Sequence, residues 1–273
     1  MFYIIRYGEI GTKGLNRSFF ENILIRNIKE CVKKKTQNFK IIKKQGRIIV
    51  ESDENISSIL VKIFGIVNFS IAEKADSYEE LKNVIFRLLK EKNFSKFRVT
   101  ATRLNKKFNK TSEEIAKEIG GFVVEKFGKK VDLKNFELNI QIEVLDSFFV
   151  FFDKIKSLGG LPVGVEGKVI CLLENKEGFV TAFLVMKRGC DVICAGYEDF
   201  ELSKLSEFCP HKIDFFKIKK FQDVEKLVKE KGVKAIVVQD KIGCIRDYKT
   251  KYFVMRPLIG MGKEEIDKIL SLF

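Results

Sequence analysis

Ser157-Leu158-Gly159-Gly160-Leu161-Pro162-Val163-Gly164-Val165-Glu166-Gly167 places four glycines and one of the chain's three prolines within eleven residues. Glycine and proline interrupt helical and strand periodicity alike, so residues 159–167 read as a linker between two halves built on different patterns. To its left strands and helices mix irregularly; to its right they alternate.

On the left, Phe2 to Arg6 is a short apolar strand. Asn16 to Lys34 carries Phe19, Phe20, Ile23, Leu24 and Ile28 at helical spacing, with Asn16 as its N-cap. Phe39 to Lys44 and Arg47 to Glu51 read as strands around the turn Gln45-Gly46, Ile56 to Ile63 as a short helix and Phe69 to Lys74 as a strand. The order β-α-β-β-α-β over residues 1–75 is that of a ferredoxin-like unit. A second α+β unit, 76–158, follows. It runs through helix Ser77 to Lys92, strand Phe97 to Arg103, helix Thr111 to Phe127 and strands Glu137 to Val144 and Phe148 to Lys154. Thr111 with Glu114 three residues on is a capping box. On the right, residues 168–273 alternate strand and helix from Lys168 to Leu173 onward to a closing helix at Lys263, which argues for an α/β domain on a parallel sheet.

At 273 residues the chain has room for two or three domains, and 45% hydrophobic against 32% charged residues gives them cores to bury. Fifty-one Lys and Arg against 37 Asp and Glu leave a formal charge of +14, which favours a polyanionic partner. No apolar run nears the roughly 20 residues that cross a bilayer, so nucleic acid is preferred to a membrane. Six irregularly spaced cysteines suit a reducing compartment, and a cytoplasmic location is expected.

The charge is uneven. Residues 1–50 hold 12 Lys or Arg and 3 acids, and Lys92 to Lys110 holds seven cations with no acid. Along Phe97 to Arg103 the even positions, with Arg98, face away from a core-facing Phe97, Val99 and Ala101. Lys106, Lys107 and Lys110 extend this basic run to the helix at Thr111, whose first turn offers free N–H groups to a phosphate. Neither a DNA-binding motif nor the aromatic signature of base-stacking RNA domains is present, so a structured RNA read through backbone and shape fits best. Phe148, Phe149, Phe151 and Phe152 could form a stacking platform but read better as core. Gly120-Gly121 marks close helix packing or a kink. Cys190, Cys194, Cys209 and His211 invite a zinc reading, yet paired CxxC knuckles are missing and Cys171, Cys190 and Cys194 fall in apolar strands. No metal is expected, and His211 after Pro210 reads as a loop residue without partners. Cys244, beside Gly243 and Arg246, is at most a reactive thiol.

Arg6-Tyr7-Gly8-Glu9-Ile10, Lys13-Gly14, Asn16-Arg17 and Phe20-Glu21 resemble the amino terminus of tRNA 4-thiouridine synthetases (tRNA sulfurtransferases). Phe97 to Glu114 resembles that family's THUMP domain, Gly159 to Gly164 with Gly167-Lys168 its linker, and Met186 to Gly189 and Arg256 to Met261 its catalytic domain. The resemblance implies that a ferredoxin-like and a THUMP domain bind tRNA near its acceptor end. It further implies a PP-loop ATP pyrophosphatase domain that adenylates a uridine for sulfur transfer. Lys13, Arg17, Arg98, Arg103, Lys106, Lys107 and Lys110 are the expected RNA contacts.

Two departures bear on the catalytic half. Where the family carries a Ser-Gly-Gly-x-Asp-Ser loop for ATP phosphates, this chain has Glu174-Asn175-Lys176-Glu177-Gly178-Phe179. Non-glycine residues block a phosphate nest, and two carboxylates repel a triphosphate. The family's sulfur-relay cysteine, placed after the match to Arg256–Met261, has no counterpart beyond Cys244. The expectation is a tRNA-binding protein with a degenerate PP-loop-like domain, no catalytic residues and no cofactor, Lys176 and Gly178 being the remnant of a nucleotide site. Such a chain would work as a homodimer or with a separate catalytic or sulfur-carrier protein. The rival is an active sulfurtransferase using ATP and Mg; a third reading is a small-molecule enzyme with an incidental basic surface.

Overall fold

The structure, a computed structural model, describes residues 1–273. In chain order it forms β1 (Phe2–Arg6), α1 (Arg17–Lys33), β2 (Phe39–Lys44), β3 (Arg47–Ser52), α2 (Ser57–Leu60), β4 (Asn68–Ala75) and α3 (Tyr78–Lys90). There follow β5 (Lys96–Arg103), α4 (Ser112–Phe127), β6 (Lys130–Val131), β7 (Leu138–Val144), β8 (Phe148–Phe151) and β9 (Ile155–Lys156). The remainder is β10 (Lys168–Leu173), α5 (Glu177–Lys187), β11 (Asp191–Gly196), α6 (Ser203–Ser206), β12 (Phe215–Lys217), α7 (Phe221–Glu230), β13 (Ala235–Val237), β14 (Phe253–Met255) and α8 (Lys263–Leu270). The longer elements fall where periodicity places them; β6, β9 and β14, two or three residues each, are too short to carry a period. No helix is long and apolar enough to cross a membrane.

Two compact units cut across chain continuity. Met1–Arg6, Asn38–Asn55 and Asn68–Lys156 form the first; Tyr7–Gln37, Ile56–Val67 and Ser157–Phe273 form the second. The sequence limits 1–75, 76–158 and 168–273 follow the order of residues, whereas α1 and α2 share a unit with the carboxy-terminal half.

The first unit is a sheet in the order β2-β3-β1-β4-β8-β7-β5-β6, with β9 on β4. Its β2-β3-β1-β4 portion, β1 antiparallel to both neighbours, is the ferredoxin-like arrangement. The β8 run is buried on both faces: Phe148 and Val150 pack with Phe97, Ile115 and Ile140, while Phe149 and Phe151 pack with Ile4, Ile49 and Leu145. Phe152 is half-buried beneath the Lys92 ammonium, 4.4 Å from its ring centre. Alternation along a strand explains the Phe148–Phe149 and Phe151 positions as core.

One carboxylate organises the polar interior of this sheet. Glu143 accepts from Arg6 Nε and Nη2 at 2.9 and 2.8 Å, and from Arg47 Nε and Nη2 at 2.7 and 3.1 Å. Burial works to raise its pKa, but the bonds and charges of Arg47 and Arg6 outweigh that and hold it below the ordinary value.

The second unit carries an all-parallel sheet, β12-β11-β10-β13-β14. Val169, Cys171 and Leu173 of β10 share a core with Ala182 and Met186 of α5, and Ile170 and Leu172 share another with Val224 and Val228 of α7. Helices thus cover both faces, which is why the strands are apolar throughout. The glycine-rich segment expected to be a linker is a bonded strap of this unit. Leu161 N donates to Lys187 O at 2.9 Å, Gly164 N to Gly189 O at 2.8 Å, and Asn27 of α1 to Val163 O at 3.0 Å. Gly160, at φ +74°, lies so close that a Cβ would overlap the Lys187 carbonyl. Gly160 serves close approach, and Gly159, Gly164 and Gly167 serve the positive φ at which each is held.

Asn16 precedes α1 without a capping bond, because 3-10 turns at Glu9–Thr12 and Gly14–Asn16 lead the chain directly into the helix. In α4, Gly120 and Gly121 have nothing within 4 Å of an added Cβ, and the helix runs through them unbroken. Close packing is therefore not their reason.

Candidate functional site

The basic run lies on β5 and the loop that follows. Val99 and Ala101 pack on the core with Phe97, as alternation requires, and Arg98 turns the other way. Its guanidinium stacks 3.9 Å above the centre of the Phe136 ring, and its Nε is buried with no partner in the chain. Thr100 Oγ1 donates to Asn139 Oδ1 at 2.9 Å on the neighbouring β7. Lys106 and Lys107 are exposed. They are the free cations of the loop.

The other residues of this set are tied to the protein. Arg103 Nη1 donates to the carbonyls of Phe108 and Lys110 at 2.9 and 3.4 Å, so it braces the loop. Lys110 Nζ binds both oxygens of Glu118 at 2.6 and 2.5 Å and sits 4.6 Å from the Tyr78 ring centre. The first turn of α4 is not the open anion site expected from its sequence. Thr111 Oγ1 caps Glu114 N, Glu114 Oε2 returns to Thr111 N, and Glu113 and Glu114 already supply negative charge there.

Lys13 and Arg17 belong to the second unit. Arg17 is engaged by Glu21 Oε1 at 2.8 Å and by the Tyr7 hydroxyl at 2.8 Å, and is a bracing residue. Lys13 lies over Phe20 and lines a cavity of about 630 Å³ with Lys168, Arg188 and Lys234, beside Glu166.

At the carboxyl ends of β10 and β13 the strand order reverses, the place where open parallel sheets take their ligands. A crevice of about 310 Å³ opens there, lined by Glu174, Glu177, Asp240, Lys241, Cys244 and Arg246 among others. Its charges answer one another. Arg246 Nη1 and Nη2 bind Glu174 bidentately at 2.7 and 2.6 Å, Lys241 binds Glu177 at 2.6 Å, and Asp240 takes Arg246 Nε at 3.0 Å and Arg256 Nε at 3.1 Å. Burial pushes the Asp240 carboxyl up. The Arg246 backbone N–H, the Tyr248 hydroxyl and the two guanidinium groups outweigh it and hold the group below its ordinary range.

This arrangement does not fit the triphosphate that the resemblance implies. A phosphate nest needs convergent free N–H groups and uncommitted cations. Here Glu177 N is taken by Asn175 Oδ1 at 2.8 Å, and the arginines are committed to carboxylates. Lys176 is exposed at the start of α5, outside the crevice lining. Gly178 is buried under Leu173 and the Gln239 amide, which an added Cβ would strike, so packing alone requires a glycine there. Sequence reading named Glu174, Glu177, Arg246 and Arg256 separately and missed Asp240, the buried group joining them. The only signal was an acid one residue removed, across Gln239, from the apolar run Ala235 to Val238.

All six cysteines are free, and five are buried. Burial pushes Cys194 up to about 12 and Cys171 well above its ordinary value, consistent with small core residues. Cys244 is exposed in the crevice lining. His211 is not without partners: its Nε2 lies 2.8 Å from Asp191 Oδ1, with the Cys209 sulfur alongside.

Residues 2–70 match the ThiI ferredoxin-like domain and residues 75–153 the THUMP domain. A probable tRNA sulfurtransferase of Thermococcus kodakarensis is 32% identical, aligning 96% of this chain with 85% of that protein; one of Thermoanaerobacter pseudethanolicus is 31% identical over 96% and 83%. The first alignment is 323 residues long, more than the chain itself, so the relative carries stretches with no counterpart here. Among solved structures, PH1313 from Pyrococcus horikoshii superposes with a TM-score of 0.87 at 32% identity, covering 99% of this chain and 98% of that one. A 4-thiouridine synthetase–RNA complex with bound ATP superposes at 0.84 with 27% identity, covering 99% and 84%.

Proposed function

We propose that this chain, which belongs to the tRNA sulfurtransferase family, binds the acceptor region of tRNA through β5 and its loop and does not itself carry out ATP pyrophosphatase chemistry. The observation that carries the reading is the state of the cations. Those of the crevice are spent on Glu174, Glu177 and Asp240, while Lys106 and Lys107 are exposed and Arg98 keeps a buried, unbonded Nε beside an aromatic ring. Backbone phosphates supply the acceptors that Lys106 and Lys107 lack. The THUMP match and the RNA complex of the related synthetase support the RNA half of the reading. The α/β domain would then serve as a docking module, for a homodimer or for a separate catalytic or sulfur-carrier protein that supplies the chemistry.

The second reading is an active sulfurtransferase that adenylates a tRNA uridine with ATP and Mg²⁺; the ATP bound to that synthetase favours it. Calorimetric titration with ATP–Mg²⁺, with and without tRNA, separates the two. Salt-dependent tRNA binding with no ATP heat is expected. Micromolar ATP binding would put the enzyme first, and salt-insensitive, weak tRNA binding would remove the RNA reading altogether.

A further inference from the structure

Asp191, Cys209 and His211 form a cluster that RNA binding leaves unused. Asp191 begins β11, and Cys209 and His211 flank Pro210 in the turn after α6. The chain bends at Cys209, Pro210 and His211. The Cys209 and His211 side chains converge on Asp191. His211 Nε2 is 2.8 Å from Asp191 Oδ1, and the Cys209 sulfur is 3.8 Å from Nε2. One ligand atom from each residue lies within 4.8 Å of the other two. Lys168 Nζ, 3.4 Å from Asp191 Oδ2, takes the second carboxylate oxygen and leaves Oδ1 to the cluster.

We propose that Asp191 Oδ1, Cys209 Sγ and His211 Nε2 bind one zinc ion, tying the turn before β12 to the start of β11. A sulfur–nitrogen–oxygen donor set is zinc's, whereas magnesium and calcium take oxygen alone. Tetrahedral zinc with ordinary bond lengths sets sulfur and nitrogen about 3.6 Å apart, close to the spacing found, and nitrogen and oxygen about 3.3 Å apart. The second distance is reached by a small outward turn of the imidazole, which is half-exposed. Cys209 forms the inner wall with no exposure at all, so the fourth position faces solvent on the histidine side and takes water. Cys190 and Cys194, which the sequence spacing grouped with this pair, are core residues outside the cluster.

The test is titration of the chelator-treated, full-length protein with Co²⁺ alone and then Zn²⁺. One cobalt per chain should give the visible bands of a tetrahedral site with a thiolate-to-cobalt charge-transfer band, and zinc should displace it. His211→Gln should weaken binding at least ~10-fold, a loss no smaller than removal of an outer partner. Cys209→Ser should abolish the charge-transfer band, and Cys244→Ser should keep it. Should Cys209→Ser fail to fold, His211→Gln and Asp191→Asn decide the matter. A wild-type protein with no band at stoichiometric cobalt would overturn the proposal, as would a His211→Gln variant that binds cobalt with undiminished affinity or a band that disappears with Cys244→Ser.

Discussion

The strand–loop at residues 96–110 and the crevice at the end of β10 and β13 are both rich in cations, yet they are opposites in what those cations do. In the crevice Arg246, Arg256 and Lys241 each meet a carboxylate of the same chain, and Asp240 sits at the centre with no side-chain exposure. On the loop, Lys106 and Lys107 stand in solvent, and Arg98 stacks on Phe136 with an unbonded Nε. A positive residue advertises an anion site only when the fold has not already neutralised it. Counting charges along the sequence cannot make that distinction, because pairing is decided by residues far apart: Arg246 and Glu174 are 72 positions distant.

The largest expected effect tests whether neutralisation inside the fold matters energetically. Glu143→Ala strands two guanidiniums in the sheet of the first unit, so unfolding free energy in urea should fall by about 3–5 kcal/mol. The same carboxylate predicts a pH dependence. Its folded pKa lies below the ordinary 4.5, so its contribution is full above about pH 4.5 and is lost as the pH falls through the folded value. A wild-type acid-unfolding curve that matches the Glu143→Gln curve would break this assignment.

Asp240→Asn comes next, at about 2–3 kcal/mol, discounted because Arg246 and Arg256 both reach solvent. A loss below about 0.5 kcal/mol, the range of a neutral surface change, would mean that the crevice network is ornamental and its arginines are available to a ligand. For the loop the readout is tRNA. Lys106→Ala with Lys107→Ala should lower affinity several-fold and flatten the log–log salt slope by about one unit for each phosphate no longer neutralised, while Lys241→Ala leaves the slope unchanged. Reversal of those two results would interchange the roles of the regions. The smallest effect concerns α4 behind the loop: Gly121→Ala, at an exposed position with open space for a methyl group, should stabilise by about 0.5–1 kcal/mol in thermal unfolding. Weakened tRNA binding in that variant would show the helix itself to be part of the RNA-binding surface.

Much of the architecture was legible because periodicity is local. Thr111 and Glu114 marked the start of α4, and the apolar runs of β1, β5 and β10 marked their strands, since a cap or an alternation needs only a few neighbouring residues. The candidate site was half legible. Lys106 and Lys107 were visible as free cations because no acid stands near them in the chain, but Arg103, Lys110 and Arg17 were counted with them although Phe108, Glu118 and Glu21 hold them in place. Gly178 looked like the remainder of a phosphate loop and proved to be enclosed by Leu173 and Gln239.

From the sequence alone come the order of elements, the change of pattern at residues 157–167, the concentration of positive charge before residue 110 and the family resemblance. Each depends on residue type and short-range spacing. Only the tertiary structure decided that the glycine segment is a bonded strap, that Asp240 gathers Arg246 and Arg256, and that Asp191 meets His211 across 20 positions. Those outcomes rest on contacts between distant segments, where a desolvated charge must find its partner or leave the interior.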